Sequence, residues 1–411
     1  MKSSIRSLRP TLLAAALAVG LAGTAIAQER ARLLPAQSGD LVPAQVVDAS
    51  RVAAADLERA PVQFFHPVPA DEALSSLHAP HHAESREYWQ QIDGAQLRDG
   101  YALALTSPGA VVMISPGVDA RPLHRDQLAI ISAGRSLAAD EASQTLADAA
   151  ALRQAGMDVN PGTLAFKLRA GVEADARVRI ADAEGRYVLH VLEPESRDVL
   201  RAQASVDTVH AGGELGVRIA LDGGASIDAI NAMLVSPDGQ TFDLDFARGS
   251  RKGTAEFTGT VRAPAQVQAQ PGLWDVRATV AGNDGQRAFQ RDVRTAVAVV
   301  APTARLDGSA SVHVMRTGGM DTTFGVEVGA PGRYEVRAVL YANSAKHDAM
   351  VPVGIAYSAN WLQAGSQALT LNWPESVLGE FSAPYELRDL RLTDQGSVAI
   401  LERRSQALLI Q

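Results

Sequence analysis

The sequence contains no cysteine, which excludes disulfides, thiolate metal sites and lipid attachment at a lipobox cysteine. Basic charge is in the minority, with 38 Lys and Arg against 46 Asp and Glu and a formal net charge of −8. That balance disfavours nonspecific nucleic-acid binding and anionic membrane surfaces, both of which reward clustered cations. Past the first 27 residues no run is apolar enough to span a membrane, which takes about 20 residues. Catalytic motifs are missing too: there is no Gly-x-Ser-x-Gly elbow, no Ser-x-x-Lys pair, no His-Glu-x-x-His and no phosphate-binding Gly-rich loop. Enzymes assembled from distant residues stay open, because a carboxylate pair for glycoside chemistry is defined by separation in space.

What is there begins with an export signal. Lys2, Arg6 and Arg9 precede an apolar run from Leu12 to Leu21, and Ala25-Ile26-Ala27 supplies a small-residue cleavage site. Residues 1–27 therefore read as a signal peptide, and the mature protein is expected to be periplasmic or secreted. Removing three positive charges takes the formal net charge from −8 to −11, which argues for solubility. The 384 residues that remain of 411 suggest three domains at about 100–150 residues each.

One stretch organises the rest. Pro271-Gly272-Leu273-Trp274-Asp275-Val276-Arg277-Ala278 returns as Pro331-Gly332-Arg333-Tyr334-Glu335-Val336-Arg337-Ala338, and more loosely as Gly185-Arg186-Tyr187-Val188-Leu189. In each, a turn launches a period-2 run, the signature of a half-buried strand. An aromatic at the strand entrance is expected to pin the corner of a β-sandwich. The fold class expected is mainly β, with tandem immunoglobulin-like β-sandwich modules after a β-rich α+β N-terminal domain carrying two helices.

In chain order, residues 28–61 read as a flexible N-terminal arm, 62–201 as the α+β domain, 202–301 as an immunoglobulin-like sandwich, and 302–411 as a second sandwich, immunoglobulin-like or jelly roll. Within the first domain, helix formers predict one short helix over Glu84–Gln91 and a second from about Ala138 to Ala155, with Asp140 and Glu141 near its start and Gly156 past its end. Ser107-Pro108-Gly109 predicts a hairpin between Tyr101–Leu105 and Ala110–Ile114. Near Asp389 the apolar phase jumps between Leu387 and Leu390, which predicts a β-bulge.

Few residues stand out as contacts. His78, His81 and His82, with His66 and His124 in the same expected domain, are the candidate metal cluster, although solvent-exposed loop histidines explain the same pattern. Asp243 with Asp245, and Asp389 with Asp394, are calcium candidates that solvated strand faces and hairpin ends also explain. No cofactor is assigned; structural Ca²⁺ or Zn²⁺ stays open. Of four tryptophans, Trp274 and Trp373 share faces with aliphatic residues and read as core. Trp361, in a turn-like segment, and Tyr88 with Trp89 are the candidate ligand contacts, against packing on the sheet.

Glu84-Ser85-Arg86-Glu87-Tyr88-Trp89, Ser107-Pro108-Gly109-Ala110-Val111-Val112-Met113-Ile114-Ser115-Pro116 and Pro384-Tyr385-Glu386-Leu387-Arg388-Asp389-Leu390-Arg391-Leu392-Thr393-Asp394-Gln395 together resemble an exported gammaproteobacterial family grouped under a domain-of-unknown-function label. The resemblance covers most of the mature chain. It implies a distinctive N-terminal domain followed by immunoglobulin-like domains, and brings no activity and no site residues. The function expected is an exported, non-catalytic multi-domain binding or adhesion-type protein recognising an extracytoplasmic protein or glycan, without nucleic acid and without a membrane span. The alternative is an exported hydrolase with its site in the N-terminal domain, near His78–Trp89 and Arg121–Arg125. The oligomeric state is not fixed by the sequence.

Overall fold

The structure is a computed structural model and describes residues 29–49, 57–75, 79, 81–172, 175–248, 255–283, 285 and 287–411. The signal peptide expected over residues 1–27 and His78 of the candidate metal cluster lie outside the described residues. The chain is mainly β-strand in antiparallel sheets, with four short α-helices among the described residues. No helix of the described residues is long and apolar enough to cross a membrane.

Three clusters of buried apolar side chains form, over residues 88–191, 200–299 and 304–410. Each is enclosed between two sheets, and alternation along the strands builds most of it. In Glu214–Leu221, for example, Leu215, Val217, Ile219 and Leu221 are buried while Glu214 and Arg218 face solvent. The aromatic strand entrances sit where sandwich corners need them. Tyr187, Trp274 and Tyr334 are all buried. The Tyr334 hydroxyl donates to the Ala330 carbonyl at 2.5 Å, and that of Tyr187 lies 2.9 Å from the Arg121 and Glu184 carbonyls. Both tie the strand back to its own turn, as a tyrosine corner does.

The first and middle sandwiches share a sheet. Strand Ala288–Val300 meets strand Glu87–Asp93 at the single pair Asp292↔Glu87, which joins the two sets of strands into one ten-stranded sheet. The chain also crosses over: His82–Ser85 pairs with Leu200–Ala204 of the middle sandwich.

The described part of the segment expected to be a flexible arm is built into the C-terminal sandwich instead. Glu29–Arg32 pairs with Ala304–Val314, Leu41 bridges Arg403, and Val62–Pro67, expected to open the first domain, pairs with Ala349–Leu362. Phe65 lies across Gly354, where an added Cβ would sit 2.1 Å from the ring, and meets Trp373 edge-on at 6.1 Å. A polar, aperiodic sequence hides such docking because each strand turns only one residue, Ala31 or Phe65, against the core.

Both expected helices are corrected. Glu84–Gln91 falls on strands His82–Ser85 and Glu87–Asp93, with Tyr88 and Ile92 buried at period two. Helix formers at the outward positions masked that alternation. Residues 138–155 hold two single-turn helices, Ala139–Ala142 and Ala149–Gln154, around strand Ser143–Asp148. There the pairing of Leu146 with Phe166 overrides helix propensity, a small bias beside tertiary packing. The expected hairpin is absent as well: Tyr101–Ala102 pairs with Arg177–Ile180, whereas Val111–Pro116 joins the other sheet between Leu164–Leu168 and Arg186–Leu192. The bulge near Asp389 is present, as a register shift with Asp389 at φ 48°.

Candidate functional site

The site is built at the seam between the first two sandwiches. On strand Glu87–Asp93, Tyr88 and Ile92 turn into the core, so Glu87 and Trp89 face outward. Strand Arg186–Leu192 places His190 directly across from Trp89, and the two rings stack at 3.8 Å with 5° between their planes. The His190 Nε2 lies 2.7 Å from a Glu87 carboxylate oxygen. Trp89 nevertheless keeps 45% of its surface exposed. A large indole backed by a second ring, with a free face, is a rigid platform for an incoming apolar surface.

Asp292 completes the cluster. Because only one residue pair joins the strands here, the Trp89 N–H finds no strand carbonyl and donates to Asp292 Oδ2 at 2.7 Å. The other oxygen, Oδ1, is buried with no partner among the described residues. Burial pushes the Asp292 carboxyl above the usual carboxylate range; the Trp89 N–H and the Thr279 hydroxyl oppose that shift, and the Glu87 charge adds to it. Two carboxyl groups thus flank an exposed ring on an open sheet face.

Directly beneath, the seam is locked by ions. Arg291 and Glu193 are both fully buried, with Nη2 and Oε2 at 2.6 Å. Glu193 also accepts the N–H groups of Thr106 and Ser107 at 2.6 and 2.7 Å. Arg291 donates to the carbonyls of Asp198 and Gln290 and to the hydroxyls of Thr106 and Ser196. Buried charges persist only when satisfied this fully, so the platform above rests on a fixed floor.

The other candidates from the sequence are scattered. Tyr88 is 1% exposed, its hydroxyl accepts the Ala104 N–H at 3.0 Å, and burial raises its phenol. It is a core residue, not a contact. Trp361 lies on strand Ala349–Leu362 rather than in a turn, half-buried with the Arg59 guanidinium 4.3 Å from its ring centroid. His81 and His82 are exposed neighbours with ring centroids 6.5 Å apart, and His66 sits on the C-terminal sandwich. Among the described residues no three His, Asp or Glu side chains are arranged to hold a metal ion. Asp389 is instead engaged by Arg337 and Arg391, and buried Asp394 accepts from Thr303 at 3.0 Å. Arg121 and Arg125 form exposed pairs with Glu184 and Asp140.

His190 and Asp292 were missed in the sequence. Both sit at the outward phase of period-2 strands, but nothing local marks that those strands would meet across two sandwiches.

Comparison with known proteins bears on architecture. A model described as the N-terminal domain of DUF4785, a domain of unknown function, matches residues 53–193, and the model of its C-terminal domain matches residues 303–411. No curated protein matches. A DUF4785 family protein from Legionella pneumophila is similar in structure, with TM-score 0.73 and 19% identity over 90% of this chain and 99% of that one. At that identity the likeness concerns the fold. The three-domain ectodomain of mouse nectin-like molecule 4 aligns at TM-score 0.20 and 15% identity, over 64% of this chain and 92% of that one, and carries no argument. With its N-terminal and C-terminal domains both matched, over more than half of its residues, the chain belongs to the DUF4785 family.

Proposed function

We propose that the chain is an exported, non-catalytic binding protein of a gammaproteobacterium, and that Trp89 presents its free ring face to an extracytoplasmic glycan. The supporting observation is the seam cluster: an indole with 45% of its surface open, backed by His190 and flanked by Glu87 and Asp292. Aromatic rings cover the C–H faces of pyranoses, while the partly exposed Glu87 carboxylate accepts their hydroxyls. Export rests on the charged and apolar pattern of residues 2–27. A glycan array probed with the full chain and with Trp89→Ala tests the proposal. Binding that falls at least about tenfold in the variant, a loss of about 1.4 kcal/mol, supports it; equal binding by both rejects it.

A second reading, an exported hydrolase, draws on Asp292, whose raised carboxyl would suit a general acid beside the Glu87 carboxylate. It requires turnover of a bound glycan that Asp292→Asn abolishes. Binding without turnover rules it out.

A further inference from the structure

We infer that one end of the middle sandwich holds a second, separate pocket that takes a single uncharged saccharide ring. A cavity of about 220 Å³ opens there between the Ser236–Gln240 turn and the Pro264–Gln270 segment. Its floor is apolar, made by Phe242, Trp274 and Val299, with the two aromatic rings 5.8 Å apart. Drug-sized ligands occupy about 300–1,000 Å³, so this space suits one ring and not a chain.

The walls fix the chemistry. Gln266, Gln268 and Gln270 recur every second residue, and all three line the cavity. None of their side-chain amides makes a hydrogen bond among the described residues. Each offers an acceptor oxygen and two N–H donors in one plane, which matches neighbouring hydroxyls that both give and accept.

Opposite them the turn is already set. Asp238 accepts from the Ser236 hydroxyl and from Gln240 Nε2, the latter at 2.8 Å, and Ser236 Oγ accepts the Gln240 N–H at 2.9 Å. The Ser236 bond, then that from Gln240, holds the Asp238 carboxyl below its usual range, so it presents a charged acceptor. No Lys or Arg lines the cavity. An anionic sugar would therefore meet a carboxylate with no counter-charge, whereas a neutral one meets a full set of partners over an aromatic floor.

The inference stands on residues distinct from the Trp89 cluster and does not need that cluster to bind anything. Titration calorimetry of the full chain with glucose, galactose, mannose and N-acetylglucosamine, and with glucuronate as the charged counterpart, tests it. We expect at least one neutral sugar to bind and glucuronate to bind at least about tenfold more weakly. Gln268→Ala and Gln270→Ala should each weaken the neutral sugar about tenfold through lost hydrogen bonds, with unchanged thermal unfolding. Trp89→Ala should leave this binding as it is. The inference is overturned if no neutral sugar binds at about 10 mM, a level that would reveal even millimolar affinity, or if glucuronate binds equally well. It is also overturned if affinity survives both glutamine substitutions. Loss confined to Trp89→Ala would assign binding to the seam and reject the pocket.

Discussion

Arg291 of the middle sandwich and Glu193 of the first meet at 2.6 Å with neither side chain exposed. Asp292, next to Arg291 on strand Ala288–Val300, makes the single pair with Glu87 that joins the two sets of strands among the described residues, and Glu193 directly follows strand Arg186–Leu192, the neighbour of Glu87's strand. Two sandwiches that look like separate modules in sequence are therefore coupled through a buried charge.

That coupling can be measured. Arg291→Met leaves the Glu193 carboxylate buried without its cation, and breaking a buried pair from one side costs about 3–5 kcal/mol. Adding Glu193→Gln discharges the orphaned carboxylate and keeps an oxygen for the Thr106 and Ser107 N–H groups. The double variant should thus be more stable than Arg291→Met alone in urea unfolding. A double variant equally or less stable would mean that Glu193 carries no uncompensated charge in the single variant.

The corner tyrosines give a second test. Tyr334 packs in the core of the C-terminal sandwich and donates to the Ala330 carbonyl at 2.5 Å. Tyr334→Phe keeps the ring and removes only the hydroxyl, leaving a buried carbonyl short of its donor, so about 1–2 kcal/mol should be lost. Tyr187→Phe should behave alike, because its hydroxyl lies 2.9 Å from the Arg121 and Glu184 carbonyls. Chemical denaturation of the two variants reads both values. A cost near zero in both would mean that the hydroxyls do not hold the corners.

These corners were also the part of the fold most legible in the sequence. A turn, an aromatic and then alternating residues encode the strand entrance locally, and the Asp389 bulge followed from a one-residue jump in apolar phase, because a strand has period two. What escaped was non-local. Tyr88 and Ile92 alternate, but only two inward residues within a stretch of good helix formers do not announce a strand; Leu146 becomes strand because Phe166 lies beside it. The candidate site was legible by half. Trp89 could be singled out as a large aromatic, whereas His190 and Asp292 gain meaning only from register across three strands, two of them in different sandwiches.

The joint between the middle and C-terminal sandwiches carries a pH dependence whose sign is fixed by one histidine. His210 Nε2 lies 2.7 Å from the Leu401 carbonyl, so this nitrogen must bear the proton and donate. Burial lowers the His210 pKa, and the bond to Leu401 only partly offsets that. Asp207 and Arg403, paired at 3.0 Å, flank the joint and largely neutralise each other. Protonation would not break the bond to Leu401; its cost is the burial of a new charge. The unfolded chain, with a histidine pKa of about 6.5, therefore binds more protons than the folded one just below that pH. This contribution is fully present above about pH 6.5 and is lost as pH drops from there towards the lowered folded value. His210→Gln keeps an N–H donor for Leu401 without a titrating group. Between about pH 7.5 and pH 5.5, a window spanning the unfolded value, the wild type should lose more stability than His210→Gln in denaturant titrations. Parallel slopes for the two proteins would show that burial at this joint does not oppose the charge.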